Sequence, residues 1–534
     1  MRDQGYHATA QVDLVGEIRA LGAGLKFYRG VTAYPAIGDP IALAGRAELQ
    51  LIYQASDSGS INIGKLQHDA TLSAYLKVDE TISKHFAVLG TTGVGKSSAV
   101  ASILQKVMDV RPDLRVFLID VHNEYGNCFG ARAQILTPGN LRLPFWLFNF
   151  EETVDVIFGG RPGIEEEVDV LSEVIPLAKA AYIQYRNAND RSAIKRVDPK
   201  SSGFTTDTPV PYRLADLIGL IDERMGKLEN RARTAVFQRL ITRIETVKTD
   251  PRYAFTFDNA NVGGDTMAEV ISHVFRLPAN GVPMTIMQLA GFPAEVVDAV
   301  VSVLCRMAFD CGLWSEGAVP LLFVCEEAHR YASADRSIGF GPTRRAISRI
   351  AKEGRKYGVF LGLVTQRPAE LDPTIISQCS TLFAMRMSND RDQAILRSAI
   401  SDAGSNMLAF LPSLGVGEIL AFGEGVAMPT RFKIDELPHG LLRKGGGERV
   451  PHEAPIEITG DFVSDVLDRW RGSTMTQKAR YEDSALAPSI VSDQAPALSA
   501  QIPSLNPDRF KILKRPVEAG SDAFFARKDD PRPW

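Results

Sequence analysis

The stretch Gly90-Thr91-Thr92-Gly93-Val94-Gly95-Lys96-Ser97 constrains this chain more than any other, because such a loop belongs where a buried strand turns sharply into a helix. Its glycines let successive backbone N–H groups point inward at a phosphate, and the helix that follows adds the positive end of its dipole. Phe86-Ala87-Val88-Leu89 reads as the strand, and Ser98-Ala99-Val100-Ala101-Ser102-Ile103-Leu104 opens the helix. Gly90, Thr91, Thr92, Gly93, Val94, Gly95, Lys96, Ser97 and Ser98 are therefore the expected phosphate cradle. Lys96 would neutralise the β and γ phosphates of ATP, and the Ser97 hydroxyl would coordinate Mg²⁺.

A P-loop needs an acidic partner at the tip of another buried strand to hold the metal and activate water. Leu321-Leu322-Phe323-Val324-Cys325-Glu326-Glu327 supplies one. Two adjacent carboxylates leaving an apolar run are costly unless a cation or hydrogen bonds compensate them. Glu326 is the expected metal ligand and Glu327 the expected general base. His329, close behind, reads either as a γ-phosphate contact or as a helix cap. Thr365-Gln366, at the end of Val359 to Val364, places an amide where it could orient water, and Gln366 is taken as that sensor. Asp120 and Glu124, in the polar run after Val116 to Ile119, are expected to stand behind the groups that touch the nucleotide.

Hydrolysis of this kind commonly draws an arginine from a neighbouring subunit. Arg355, at a helix-to-strand corner before Tyr357-Gly358, is the expected finger, with Arg349 in reserve. Arg336, Arg344 and Arg345 lie in or beside a Gly- and Ser-containing loop suited to tracking a phosphate backbone.

Six short apolar runs predict one parallel sheet covered on both faces: Phe86 to Leu89, Val116 to Ile119, Met284 to Leu289, Leu321 to Cys325, Val359 to Val364 and Thr381 to Met385. The expected class is α/β, a P-loop NTPase core over residues 76–150 and 265–440. Residues 151–264 hold apolar residues at steps of three and four, such as Val168, Leu171, Ile175, Ala178 and Tyr182, and read as an inserted helical bundle. Arg231, Arg233, Arg239 and Arg243 within it are expected on a solvated face. Residues 1–75 carry short β-type runs, including Val12 to Ile18, Ile41 to Leu43, Leu49 to Tyr53 and Ile61 to Ile63, which suggests a small barrel or sandwich. Residues 441–534 read as a tail, either disordered or an arm that packs on a neighbouring subunit.

Length and charge exclude little more. At 534 residues the chain should form two or more folding units, and a balance of 60 basic against 64 acidic residues argues against a wholly basic nucleic-acid coat. The five cysteines show no zinc spacing and are expected to be reduced. No run approaches the roughly 20 apolar residues of a membrane span, and the start lacks a secretion signal, so a cytoplasmic, membrane-free protein is expected.

Taken together, several of these segments resemble the HerA ATPases of the HerA–FtsK branch of RecA-like motor proteins. The likeness rests on His85 to Gly93 running into the P-loop, Asp120 to Glu124-Tyr125, Glu326-Glu327-Ala328-His329, and Glu353-Gly354-Arg355-Lys356-Tyr357-Gly358 leading to Thr365-Gln366-Arg367-Pro368. It spans roughly residues 10 to 435. The resemblance implies an N-terminal HAS-like barrel, a RecA-like core with a helical insertion, and a homohexameric ring threading DNA. It also implies ATP hydrolysis at subunit interfaces and a separate nuclease or effector subunit. The functional expectation is a DNA translocase or helicase; the alternative is a nucleotide-dependent ring scaffold that assembles an effector in anti-phage defence. Glu326 departs from the aspartate that many relatives carry there. Lys84 stands where relatives often place an arginine near the nucleotide.

Overall fold

The computed structural model describes residues 12–21, 24–55, 59–189, 203–226, 231–257, 264–337, 339–400 and 402–437. Thirteen strands are found among them: β1 Gly16–Leu21, β2 Gly24–Arg29, β3 Ser60–Leu66, β4 Ser73–Lys77, β5 Phe86–Leu89, β6 Arg115–Asp120, β7 Ala133–Leu136, β8 Met284–Gln288, β9 Leu321–Cys325, β10 Val359–Thr365, β11 Thr381–Ala384, β12 Glu418–Gly423 and β13 Thr430–Ile434. Eleven form one sheet in the order β4-β3-β13-β12-β11-β5-β10-β9-β6-β8-β7. From β11 to β7 every pairing is parallel, and from β12 to β4 every pairing is antiparallel.

The uninterrupted apolar runs follow from burial on both faces. Alternate residues of each parallel strand enter different cores. Ala87, Leu89, Phe117, Ile119, Phe323 and Leu363 face one, shared with helices Ala294–Trp314 and Gly341–Glu353 and with the insertion. Phe86, Val88, Val116, Leu118, Leu322 and Val364 face the other, under helix Lys96–Val110 and the antiparallel strands. All six sequence-predicted strands are present, each within a residue or so of its expected bounds. The result is an α/β fold of the RecA-like P-loop type.

The insertion is helical, as the spacing predicts, with helices Phe150–Phe158, Glu165–Asn189, Leu214–Gly226 and Arg231–Thr249. Leu171, Ile175, Ala178, Leu217, Leu240 and Ile244 are buried and continuous with the sheet's core. Arg239 and Arg243 do not simply face water: their Nε atoms lie 3.2 and 3.0 Å from the carboxylate of fully buried Glu167. A second buried acid, Glu152, closes a capping box with Asn149 and accepts from Ser302 Oγ (2.7 Å) and Arg306 Nη2 (2.9 Å).

The expected N-terminal barrel is not what the described residues show. β1 and β2 make a two-stranded antiparallel pair, whereas β3 and β4 extend the large sheet beyond β13. Residues 60–77 therefore belong to the core sheet, and the expected boundary at residue 75 falls at the end of a core strand. Gly64 makes this junction possible, since a Cβ there would sit 2.1 Å from the Lys433 carbonyl oxygen. Leu49 to Tyr53, read as β-type, closes helix Arg46–Tyr53. The apolar run is preceded by Arg46, Ala47 and Glu48, all good helix formers, and Leu49 and Tyr53, four apart, pack on the core together. Ile41 to Leu43 is an exposed, irregular segment. Beyond residue 437, the expected tail lies outside the described residues. No helix among those described is long and apolar enough to cross a membrane.

His85 pins three elements at the foot of the sheet. Its backbone is left-handed (φ 59°), its Nδ1 accepts from the Leu361 N–H at 2.9 Å, and Nε2 therefore donates to the Ala351 carbonyl at 3.1 Å. Burial above all pushes its pKa from 6.5 down to about 4. An unfolded chain takes up this proton near 6.5, so the contribution is whole above that pH and is lost as pH falls towards 4, up to ~3 kcal/mol. Urea midpoints measured from neutral pH down to about 4 should fall more steeply for the wild type than for His85→Gln; parallel slopes would refute the assignment.

Candidate active site: a carboxyl-edge nucleotide pocket

Strand β5 ends in the loop that the sequence marks. Gly93 and Gly95 take positive φ (77° and 96°), turning the backbone so that helix Lys96–Val110 begins directly beneath it. Gly90 admits no side chain, because its Cβ would stand 2.8 Å from that of Met385. The neighbouring strand holds the loop in place: the Thr91 N–H and hydroxyl both donate to the Arg386 carbonyl at 3.1 Å, just past β11. Lys96 turns back over the loop to donate to the Thr91 carbonyl (2.9 Å).

Every other polar group of the site comes from a strand tip on this same edge. Beyond β6, Asp120 is fully buried and accepts the N–H groups of Glu124 (2.9 Å) and Tyr125 (3.0 Å), which shapes the turn that presents Glu124. Glu124 accepts the Ser97 hydroxyl in a short hydrogen bond. Beyond β9, Glu326 Oε2 accepts the Val121 N–H at 3.1 Å, and Glu327 adopts a left-handed backbone (φ 48°) with its Oε2 buried and without a hydrogen bond. A non-glycine residue held there costs roughly 1–3 kcal/mol, which a functional site tolerates. His122 Nε2 is 3.6 Å from one Glu327 oxygen and His329 Nδ1 is 3.3 Å from the other. Beyond β10, Gln366 accepts the Thr92 hydroxyl, and Thr365 Oγ1 lies 3.0 Å from His329 Nδ1.

The electrostatics call for a cation. Burial above all, together with the charges of Asp120, Glu124 and Glu327, pushes the Glu326 carboxyl up to about 9. Burial lowers the pKa of Lys96, while Glu327, Glu326 and Glu124 oppose that shift. One lysine cannot balance so many acids at low dielectric, and a divalent cation placed among them can. Among the described residues there is no cluster of three or more side chains able to hold a metal unaided. That suits Mg²⁺, which takes one or two protein oxygens and completes its shell with phosphate and water. The residues present thus fit a magnesium nucleotide, with Ser97, Glu124 and Glu326 as the groups that could touch the metal.

Lys96, Ser97, Glu326, Glu327 and Gln366 are brought together as the sequence predicts. Arg355 is not: it sits in the turn Gly354–Tyr357 below β10, close enough to His85 to bear on its charge, at the opposite edge of the sheet. The seven residues of β10 put about 23 Å between them. Arg349 stacks over Phe309 at 4.0 Å and lies 3.8 Å from Asp310. Of the loop arginines, Arg336 is exposed, Arg344 Nη1 donates to the Asp335 carbonyl (3.4 Å), and Arg345 pairs with Glu151. Lys84 pairs with Glu424. His329 neither caps a helix nor points alone at the pocket; it bridges Glu327 and Thr365. Sequence reasoning undervalued Glu124 and passed over His122 as an individual residue. The polar run after Asp120 was the available signal.

A buried parallel sheet, a glycine loop entering a helix, and paired acids on the next strands define a RecA-like P-loop ATPase. The family model for the central domain of helicase HerA matches residues 61–308. A probable helicase of Methanocaldococcus jannaschii is 26% identical over 443 residues, covering 82% of this chain and 78% of the relative. The DNA double-strand break repair helicase HerA of Pyrococcus furiosus is 25% identical over 472 residues (81% and 77%), and that of Sulfolobus acidocaldarius 26% over 414 (76% and 74%). These matches support a HerA-type ATPase.

Glu124→Gln keeps an acceptor for Ser97 but removes a charge from the metal's side of the pocket. The expected outcome is an about 10-fold or greater rise in the Mg²⁺ concentration needed to bind a fluorescent ATP analogue, with metal-free binding unchanged. An unaltered Mg²⁺ titration would remove Glu124 from the metal's surroundings.

Proposed function

We propose that this chain is the motor subunit of an ATP-driven DNA translocase or helicase that works as a homohexameric ring with a separate nuclease or effector subunit. The observation that carries the reading is the division of the site between two edges of one sheet. Phosphate, metal and water-activating groups gather at the carboxyl ends of β5, β6, β9 and β10, whereas Arg355 stands at the amino end of β10. An arginine so placed cannot serve its own P-loop and is free to serve a neighbour's, which makes hydrolysis a property of the interface.

Within that site the roles follow from position. The loop N–H groups and Lys96 hold the β and γ phosphates, and the Ser97 hydroxyl with Glu124 and Glu326 would hold Mg²⁺. Mg²⁺, when bound, would neutralise phosphate charge. Glu327, with one buried oxygen uncommitted, takes a proton from the attacking water, and Gln366 orients that water from the next strand tip. The loop that starts at Tyr331 leaves the same edge just after His329, and Arg336 within it and Arg344 in the helix that follows would meet the DNA backbone there. The relatives named as DNA double-strand break repair helicases support DNA as the track.

Four measurements test this reading. Duplex DNA at low salt should raise ATP turnover, and native mass with ATP should show six copies. Glu327→Gln should keep ATP affinity while turnover falls by about 100-fold or more. The fourth addresses the neighbour: Lys96→Ala and Arg355→Ala should each be inactive alone, yet recover turnover when mixed, because one supplies an intact arginine and the other an intact P-loop. No recovery would place the finger elsewhere, and absence of any DNA response would sink the translocase reading.

A further inference from the structure

Four polar groups join the P-loop to Glu327 through a strand tip that carries neither. Thr92 donates to Gln366 at the end of β10. The preceding residue, Thr365, is fully buried, and its Oγ1 accepts the Arg367 N–H at 3.0 Å while standing 3.0 Å from His329 Nδ1. The same Nδ1 lies 3.3 Å from Glu327 Oε2, a buried oxygen that has no hydrogen bond. One imidazole nitrogen thus sits between two oxygens, a hydroxyl on β10 and the carboxylate beyond β9. With the proton on Nδ1, a small rotation of the ring or of the carboxylate moves its N–H from one to the other.

We propose that His329 is a positioning residue for hydrolysis: it aligns the Glu327 carboxylate from the tip of β10, so that the base is in register with Gln366 and the P-loop. The proposal rests on the reading of Glu327 as the base. Two features favour it over a packing role for the ring. Its Nδ1 reaches Thr365, the residue next to the one that touches the P-loop. Glu327 is held in a left-handed backbone, which fixes where its side chain starts but leaves the carboxylate to be oriented by what it touches. His122, at 3.6 Å from the other Glu327 oxygen, is half-exposed and belongs to a different turn, so it stands beside the carboxylate without a link to β10.

The test uses the full chain and four variants, His329→Ala, His329→Asn, His329→Gln and Thr365→Val, with Glu327→Gln as reference. Positioning predicts that His329→Ala lowers kcat about 10- to 100-fold while KM for ATP and the Kd of a fluorescent ATP analogue stay within about twofold. An asparagine nitrogen stands near the place of Nδ1, and a glutamine nitrogen near that of Nε2. His329→Asn should therefore recover most of the lost kcat, and His329→Gln should not. Thr365→Val should lower kcat alone, and its effect should not add to that of His329→Ala. The proposal is overturned if His329→Ala turns over like wild type, if kcat and nucleotide affinity fall together, or if Asn and Gln behave alike. Should the alanine variant fail to fold, the Asn and Gln pair still decides. Inactive Glu327→Gln beside normal His329→Ala defeats this inference and leaves the base intact; active Glu327→Gln defeats the base itself, and the inference with it.

Discussion

Hydrogen bonds on both sides of β5 set the geometry on which everything else depends. This strand of four residues lies between β10 and β11, with Leu89 level with Thr365 on one side and Ala384 on the other. The parallel register brings three carboxyl ends to one line, so the P-loop, Gln366 and the carbonyl of Arg386 meet without any long connection having to find its place. Burial of the strands on both faces keeps that line rigid, since neither layer can shift without opening a packed core. The antiparallel strands from β12 onward stiffen the far side, and Gly417, just before β12, donates to the Val94 carbonyl of the P-loop at 3.0 Å.

On this scaffold the dominant chemical fact is an excess of buried acid. Asp120, Glu326 and Glu327 are buried, and Glu124 leans on Ser97 beside them. Asp120 spends its charge on backbone N–H groups and so builds the turn rather than the reaction. Glu326 has a single backbone donor, which does not offset its burial. The difference between the two explains how one cluster can hold both a structural and a metal-directed carboxylate. It also explains why a glutamate serves at position 326: its longer side chain still reaches the Val121 N–H across the gap from β9 to β6.

Much of this was legible in the sequence because the signals were local. The P-loop lies within eight residues, the strands are apolar runs bounded by polar ones, and Glu326-Glu327 follow directly on β9. The insertion announced itself through helical spacing. What was hidden depends on contacts distant in sequence. The fate of β3 and β4 turns on pairing with β13, more than 360 residues away, so a pair of short strands gave no hint that it belonged to the core sheet. Helix Arg46–Tyr53 was masked by its β-like last residues. Glu124 looked like a bystander until the turn built by Asp120 brought it onto Ser97. The Arg239 and Arg243 partners could not be foreseen, because Glu167 lies on another helix.

The placement of Arg355 gives the fold a direction. The turn Gly354–Tyr357 is tied to the foot of the sheet through helix Gly341–Glu353, which begins just after the loop that holds Arg336. That helix is rigid over 13 residues and carries Ile347 and Ile350 in the core. A displacement imposed on the loop at its start can therefore reach its end as a movement of the whole rod rather than being absorbed along the way. In a ring, one end of this helix would face the track and the other a neighbour's phosphates. On the proposed reading, a chain built so would need no flexible linker to couple a track to a nucleotide, the coupling element being a single packed helix with an arginine beyond its last turn.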